Sequence, residues 1–107
     1  MNRTAMTLMA TSLCAALSAP ALAAGDAAAG KQKAFTCMGC HGVPSYTNVY
    51  PTYHVPRLGG QHAQYLVSAL QAYKSGARQH PTMRAQAASL SEQDMADIAA
   101  FFAGYGQ

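Results

Sequence analysis

The chain has 107 residues, of which 50% are hydrophobic and 10% are charged, with three cysteines and no tryptophan. This length predicts one small domain rather than a multidomain protein. Seven Lys and Arg residues against four Asp and Glu residues give a formal net charge of +3. A charge this small does not support nucleic-acid binding, which requires a basic patch or stripe.

Residues 1–23 have the three-part pattern of a secretory signal peptide. Arg3 gives a basic start, a moderately apolar run follows, and Ala21-Leu22-Ala23 is a small-x-small cleavage site. An uncleaved membrane anchor is the alternative, but the run contains Ser and Thr residues and breaks at Pro20, whereas a span needs about 20 mostly apolar residues. We therefore expect cleavage after Ala23, export to the periplasm and no stable membrane insertion of the mature domain, residues 24–107.

Cleavage would remove Cys14 and Arg3, leaving two cysteines and a net charge of +2 from six basic and four acidic residues. Two cysteines in one short motif do not make a disulfide framework. A mature domain of 84 residues is marginally stable on its hydrophobic core alone. The sequence therefore predicts an additional stabilising component.

Three helical segments and no convincing strand pattern predict an all-α fold with long loops. Asp26 is placed to cap a first helix over residues 27–35, because its carboxylate can accept from the free N–H groups. A loop over residues 42–60 follows. A second helix is predicted over residues 61–73, with Ser75-Gly76 as its C-terminal signal.

A polar loop over residues 77–89 is predicted before the last helix, which Ser91 opens with Asp94 as its capping-box partner. The buried face of that helix is predicted at positions i, i+3, i+4 and i+7, namely Met95, Ile98, Ala99 and Phe102. Such long loops are unusual in so small a domain unless something functional fills its middle. A large, flat, apolar cofactor would do so.

Residues 37–41 read C-x-x-C-H, the attachment signal for c-type haem. At the end of a helix, the thiols of Cys37 and Cys40 can each form a thioether to one of the two haem vinyl groups. His41 then directs its imidazole at the iron. The motif therefore predicts one covalently attached haem c.

Three other interpretations of the motif are open. A thioredoxin-like redox pair needs a βαβ setting, which the sequence does not show. A zinc site needs a fourth ligand, for which His54, His62 or His80 is available. A plain disulfide is the third. Export, small size and the helical pattern together favour haem.

Met83 is the predicted sixth ligand of the iron. Of the other methionines in the mature chain, Met38 lies between the anchoring cysteines, and Met95 falls on the buried face of the last helix. Met83 lies in the predicted loop well downstream and can approach from the opposite side. The alternatives are His80 and an open position. A thioether opposite a histidine favours Fe(II) and raises the potential.

These residues resemble those of class I c-type cytochromes, the small monohaem kind exported by bacteria. The resemblance covers nearly all of residues 25–104. It rests on Gly30-Lys31, Cys37-Met38-Gly39-Cys40-His41-Gly42, Pro56-Arg57-Leu58-Gly59-Gly60-Gln61, Pro81-Thr82-Met83 and Ala99-Ala100-Phe101-Phe102. It implies three main helices wrapped around one haem, the first and last crossing at Gly30 and Phe101 or Phe102.

The resemblance also implies that the Pro56 carbonyl accepts a hydrogen bond from His41 and that Leu58 packs on the haem. The loop before them is richer in tyrosine than the family leads us to expect. Candidates to pack on the haem or bond its propionates are Tyr46, Tyr50 and Tyr53, and an ordinary packing role is equally open. Arginines that can pair with propionates, or simply lie at the solvated surface, are Arg57, Arg78 and Arg84.

Two axial ligands leave the iron no place for substrate, so the resemblance implies an electron carrier rather than an enzyme. The expected donor is a quinol-oxidising complex or a dehydrogenase, and the expected acceptor is a terminal oxidase or reductase. We expect a monomer that forms transient complexes. The alternatives are a haem subunit of a dehydrogenase or reductase complex, and a haem enzyme or gas-binding protein with an open sixth site.

Overall fold

A computed structural model describes residues 24–106, which contain five helices and one two-stranded hairpin. The helices are α1 (Ala27–Lys33), α2 (Phe35–His41), α3 (Ala63–Ser75), α4 (Pro81–Ala88) and α5 (Glu92–Gly104), and the strands are β1 (Thr47–Val49) and β2 (Thr52–His54). This mostly helical architecture confirms the predicted fold class. The predicted signal peptide and Cys14 lie outside the described residues. Between residues 24 and 106 no helix is both long and apolar enough to cross a bilayer.

The first predicted helix is divided in two. Asp26 caps α1 as predicted, because its carboxylate accepts from the backbone N–H groups of Ala28 and Ala29 at 2.8 and 3.3 Å. The helix ends at Lys33 rather than at residue 35, and Ala34 alone separates it from α2. The C-x-x-C-H motif therefore lies on a short helix of its own, directly joined to α1.

Helices α1 and α5 approach each other closely at Gly30. This glycine is buried, and a Cβ atom built on it would overlap the backbone carbonyl of Asp97 and come within 2.9 Å of the Phe101 Cβ. The predicted crossing is confirmed, and Phe101 is the aromatic residue that meets the glycine. Phe102 instead belongs to the hydrophobic core, where it is 1% exposed.

A buried carboxylate fastens the start of the domain to α5. Asp97 is 3% exposed, and it accepts hydrogen bonds from the backbone N–H of Asp26 at 2.8 Å and the Gln93 amide at 2.8 Å. Lys33 Nζ lies 2.6 Å from Asp97 and 2.8 Å from Asp94. The hydrogen bond from Lys33 holds the pKa of Asp97 down at about 2. Hydrogen bonds to Asp94 and Asp97 raise the pKa of Lys33.

The core lies where α3 and α5 pack together beside α1. Its cluster of buried side chains comprises Ala34, Leu66, Ile98, Ala99 and Phe102. All four residues of the predicted buried face of α5 are buried, and the capping box of Ser91 and Asp94 is present. Helix α3 begins and ends two residues later than predicted. Its C-cap is Gly76, the predicted termination signal, whose φ of +84° is the left-handed conformation that glycine adopts without strain.

The loop predicted over residues 77–89 is wrong, because Pro81–Ala88 form α4. Pro81 lies in the first turn, where a missing backbone N–H removes no hydrogen bond. His80 is the N-cap, and its side chain accepts from the backbone N–H of Met83. Met83 therefore lies in the first turn of a helix and not in a loop.

The expectation of no strands is also wrong, at residues 47–54. Strands β1 and β2 pair antiparallel, with Thr47 opposite His54, Asn48 opposite Tyr53 and Val49 opposite Thr52. Each strand has only three residues, too few for an alternating pattern to be recognised.

Replacement of Gly30 by alanine should destabilise the domain. The added methyl group would overlap the Asp97 carbonyl and force α1 and α5 apart. We expect a loss of about 1–3 kcal/mol in the free energy of unfolding, the usual cost of overpacking, measured by chemical denaturation of the haem-loaded protein. Gly104→Ala is the matched control, since nothing lies within 4 Å of the Cβ position in that helical glycine. Equal stability of the two variants would contradict the close crossing.

Loss of the Asp97 carboxylate should change the acid stability of the protein. Because the folded-state pKa of Asp97 is depressed to about 2, the group stabilises the fold above its unfolded pKa of about 4, and that contribution is lost as pH falls toward 2. Asp97→Asn should therefore be less stable at pH 5–7 and should lose less stability than wild type between pH 4 and 2. Glu92→Gln removes another carboxylate of α5 that does not contact Lys33, and we expect it to keep the wild-type acid profile. A wild-type profile in Asp97→Asn would contradict this account.

Candidate haem site

A cavity of about 490 Å³ lies between α2, α3, α4 and α5 and the segment that leads into α3. This volume falls in the range of small-molecule and cofactor sites, about 300–1,000 Å³. Its wall includes a set of large apolar side chains: Leu58, Leu66, Leu70, Ile98 and Phe102. The middle of the domain therefore contains an apolar cavity, in agreement with the cofactor site predicted from the long loops.

The six residues predicted to attach the haem, ligate its iron or pack beside it all line this one cavity. Helix α2 contributes three of them, α4 contributes one from 42 positions further along the chain, and the segment before α3 contributes two. These residues are Cys37, Cys40, His41, Met83, Pro56 and Leu58. The fold thus brings together side chains that the sequence analysis selected separately.

The His41 imidazole is oriented by a backbone carbonyl. Its Nδ1 lies 2.7 Å from the Pro56 carbonyl oxygen, so Nδ1–H donates and the carbonyl accepts. This hydrogen bond fixes the tautomer in which Nε2 keeps its lone pair, and it makes the ring a better metal ligand. The edge-to-face ring of Phe102, 6.5 Å away between centroids, packs against the imidazole. The hydrogen bond implied by the family resemblance is therefore present.

The two cysteines of the motif are unpaired. Cys37 is half-buried against the hydrophobic core, and this burial raises the pKa of its thiol. Cys40 is exposed at the other end of the motif. The described residues 24–106 hold no group of three His, Cys, Asp or Glu side chains arranged for a metal ion, and their one hairpin is not a βαβ unit. The zinc and thioredoxin-like interpretations therefore gain no support.

Of the three hairpin tyrosines, Tyr53 alone lines the cavity. Its hydroxyl lies 3.3 Å from the Thr82 hydroxyl, and its ring packs edge-on against His80 with 4.7 Å between centroids. Tyr50 is 95% exposed at the hairpin turn, and Tyr46 is half-buried outside the cavity lining.

The three candidate arginines also differ in whether they line the cavity. Arg57 and Arg78 line the cavity, whereas Arg84 does not and lies beside Gly76. Arg78 donates to the Tyr65 hydroxyl at 3.3 Å and lies 4.8 Å from the Tyr73 ring centroid.

Tyr65 and Tyr73 are cavity residues that the sequence analysis did not select as such. Together with Ala69, which also lines the cavity, they recur every four residues along α3. This spacing places them on one face of the helix. The four-residue spacing in the sequence is therefore a signal that identifies these residues as candidates to line the cavity.

The family model for cytochrome c matches residues 27–104 of the chain. The chain belongs to the cytochrome c family. Cytochrome c4 of Pseudomonas aeruginosa is 41% identical over 103 residues, which are 96% of this chain and 48% of that protein. Cytochrome c-554(548) of Halomonas halodenitrificans is 45% identical over 82 residues, which are 74% of this chain and 95% of that protein.

The crystal structure of reduced recombinant cytochrome c4 from Pseudomonas stutzeri has a similar fold. It superposes with a TM-score of 0.57 and 29% sequence identity, covering 76% of this chain and 50% of that one. The chain spans about half the length of the cytochrome c4 relatives from Pseudomonas aeruginosa, Azotobacter vinelandii and Stutzerimonas stutzeri.

As a class I c-type cytochrome, the protein binds haem c covalently, and the site fits that group. Two thiols stand three positions apart on one short helix, an oriented imidazole follows them, and a thioether lies in the lining contributed by α4. The surrounding wall is apolar enough to accept a flat aromatic macrocycle.

Without haem, this cytochrome should be largely unfolded. The described part of the chain buries only four large hydrophobic side chains, namely Leu66, Met95, Ile98 and Phe102. Burying each is worth about 1.5–3 kcal/mol, whereas ordering each residue of the backbone costs about 1–2 kcal/mol. A protein carrying Cys37→Ala and Cys40→Ala, made without haem, should show weak helical circular dichroism and no cooperative melting. Cooperative melting at the holoprotein's temperature would contradict this prediction.

Proposed function

We propose that this cytochrome carries single electrons in the periplasm through a haem attached at Cys37 and Cys40 and ligated by His41 and Met83. The observation that carries the proposal is that one cavity is lined by all four side chains, three from α2 and one from α4. The hydrogen bond from His41 to Pro56 supports the role of the imidazole, because it leaves Nε2 free to bind a metal.

The side chains around the cavity determine what the site can do. When bound, haem supplies one-electron exchange between Fe(II) and Fe(III). If it were a ligand together with the His41 imidazole, the Met83 thioether would favour the reduced state and raise the potential. Ligation by both His41 and Met83 would leave no position on the iron for a substrate, and Leu58 and the other apolar side chains of the wall would limit the access of water. Electron transfer is therefore the activity that this arrangement favours.

The proposed partners are redox proteins that meet the cytochrome transiently. A quinol-oxidising complex or a dehydrogenase would be the donor, and a terminal oxidase or reductase the acceptor. The charge of +2 over residues 24–107 is too small for strong electrostatic steering. We therefore expect a monomer that docks through small, weak interfaces. The periplasmic location rests on the signal-peptide pattern of residues 1–23 and the proposed cleavage after Ala23.

Carbon monoxide and the Met83→Ala substitution test the ligation. The reduced optical spectrum of the wild-type holoprotein should not change with carbon monoxide, because both axial positions are filled. Met83→Ala should bind the gas rapidly and have a lower reduction potential, since the thioether that favours Fe(II) is lost.

Two matched variants separate Met83 from the other candidates. Met95→Leu replaces a buried methionine outside the cavity lining by a residue of similar volume, and His80→Asn removes the alternative imidazole while keeping a capping oxygen. Both should remain closed to carbon monoxide. If the wild-type protein binds the gas rapidly, the sixth position is open and the proposed function is wrong. If His80→Asn opens the iron and Met83→Ala does not, His80 is the ligand.

A further inference from the structure

We propose that Tyr53 and His80 are positioning residues that hold Met83 at the cavity, so that the hairpin β1–β2 keeps the sixth ligand position closed. The inference rests on the proposed ligation by Met83 and deepens it. It assigns a task to the tyrosine-rich hairpin, the part of the chain that departs from the family pattern.

Helix α4, which carries Met83, is weakly anchored in the fold. It has eight residues, and among the described helices its backbone packs only against α3. Its one buried residue is Ala87, near its C-terminal end, where Gln86 also meets Thr36 of α2 at 3.4 Å. Met83 is only half-buried in the first turn. The position of that turn therefore depends on what holds its N-terminal end.

His80 holds the end of the helix directly. Its Nδ1 accepts from the backbone N–H of Met83 at 3.3 Å, so the imidazole caps the turn that contains the thioether. The ring meets two tyrosines edge-on, Tyr53 at 4.7 Å and Tyr73 at 6.4 Å between centroids. The cap is therefore held in place from the side of the hairpin and from the side of α3.

Tyr53 connects the hairpin to the same turn at two points. Besides its ring contact with His80, its hydroxyl meets the Thr82 hydroxyl at 3.3 Å. Tyr53 is paired opposite Asn48 across the hairpin, so the backbone that carries the ring is held by strand pairing. Through Tyr53 the hairpin contacts the two residues that flank Pro81, immediately before Met83.

Loosening these contacts should make Met83 easier to displace from the iron. The probe is imidazole added to the oxidised holoprotein, with the charge-transfer band of the iron(III)–thioether bond as the spectroscopic signature. His80→Ala removes the cap, and Tyr53→Ala removes both hairpin contacts. Each should raise the affinity for imidazole about 2- to 30-fold, which corresponds to the loss of a helix cap, about 0.5–2 kcal/mol.

Conservative variants should recover most of the wild-type behaviour. His80→Asn keeps a capping acceptor, and Tyr53→Phe keeps the ring against His80 while losing the contact with Thr82. Both should stay within about threefold of the wild-type affinity, with Thr82→Val matching Tyr53→Phe. These milder variants also keep the test usable if an alanine variant fails to fold.

Two controls distinguish positioning from general destabilisation. Tyr50→Ala changes an exposed tyrosine of the same hairpin and should behave as wild type. Asp97→Asn lowers the stability of the domain at a residue that does not itself line the cavity, although its partner Lys33 does, so it shows how far imidazole affinity rises through loss of stability without any change at His80 or Tyr53. The proposal is overturned if His80→Ala and Tyr53→Ala raise the affinity no more than Asp97→Asn does at equal free energy of unfolding.

Met83→Ala separates failure of this inference from failure of the proposed function. If Met83→Ala binds imidazole tightly and has a lower potential, while the Tyr53 and His80 variants behave as wild type, the ligand assignment stands and the positioning role is wrong. If Met83→Ala changes neither imidazole binding nor the potential, Met83 is not the ligand, and both proposals fall.

Discussion

The close crossing of α1 and α5 at Gly30 is the constraint on which the site depends. One residue, Ala34, joins α1 to α2, so the place where α1 meets α5 fixes the place of both cysteines and His41. Helix α5 also packs against α3, and α3 is the helical neighbour of α4. A displacement of a few tenths of an ångström at Gly30 would therefore be transmitted to the position of His41 relative to Met83. A hydrogen in place of a side chain is what permits that approach.

The two sides of the cavity are held by different kinds of structure. On the His41 side, local covalent spacing places two thiols and an imidazole on one short helix, and a single carbonyl hydrogen bond orients the ring. On the Met83 side, the structure is held by contacts between distant segments. The hairpin, the end of α3 and the first turn of α4 meet around the ring of His80. The first side is defined by five consecutive residues, and the second exists only in the folded chain.

This difference explains how much the sequence could predict. The buried face of α5 and the Ser91 cap depend on residues a few positions apart, and the structure confirms both. The C-x-x-C-H motif is equally local, and its cysteines and histidine line the cavity. Helix α4 was missed because histidine is not among the favoured N-caps and because Pro81 in a polar stretch is typical of loops. The hairpin was missed because its strands are too short to show alternation. That Tyr53, rather than Tyr46 or Tyr50, faces the cavity depends on the pairing register, which no local pattern specified.

The Asp26–Asp97 contact has a consequence for the order in which the domain forms. It joins residues 71 positions apart, and α1 finds its helical partner in α5, near the end of the described chain. Closing so long a loop costs chain entropy. The contacts between the two helices offset this cost only once both helices are present. A chain emerging from its N-terminus therefore carries its haem-attachment motif into solution well before the fold can close over it. The cysteines of α2 stay accessible for that whole interval, and α5, the last of the helices described in residues 24–106, completes the core.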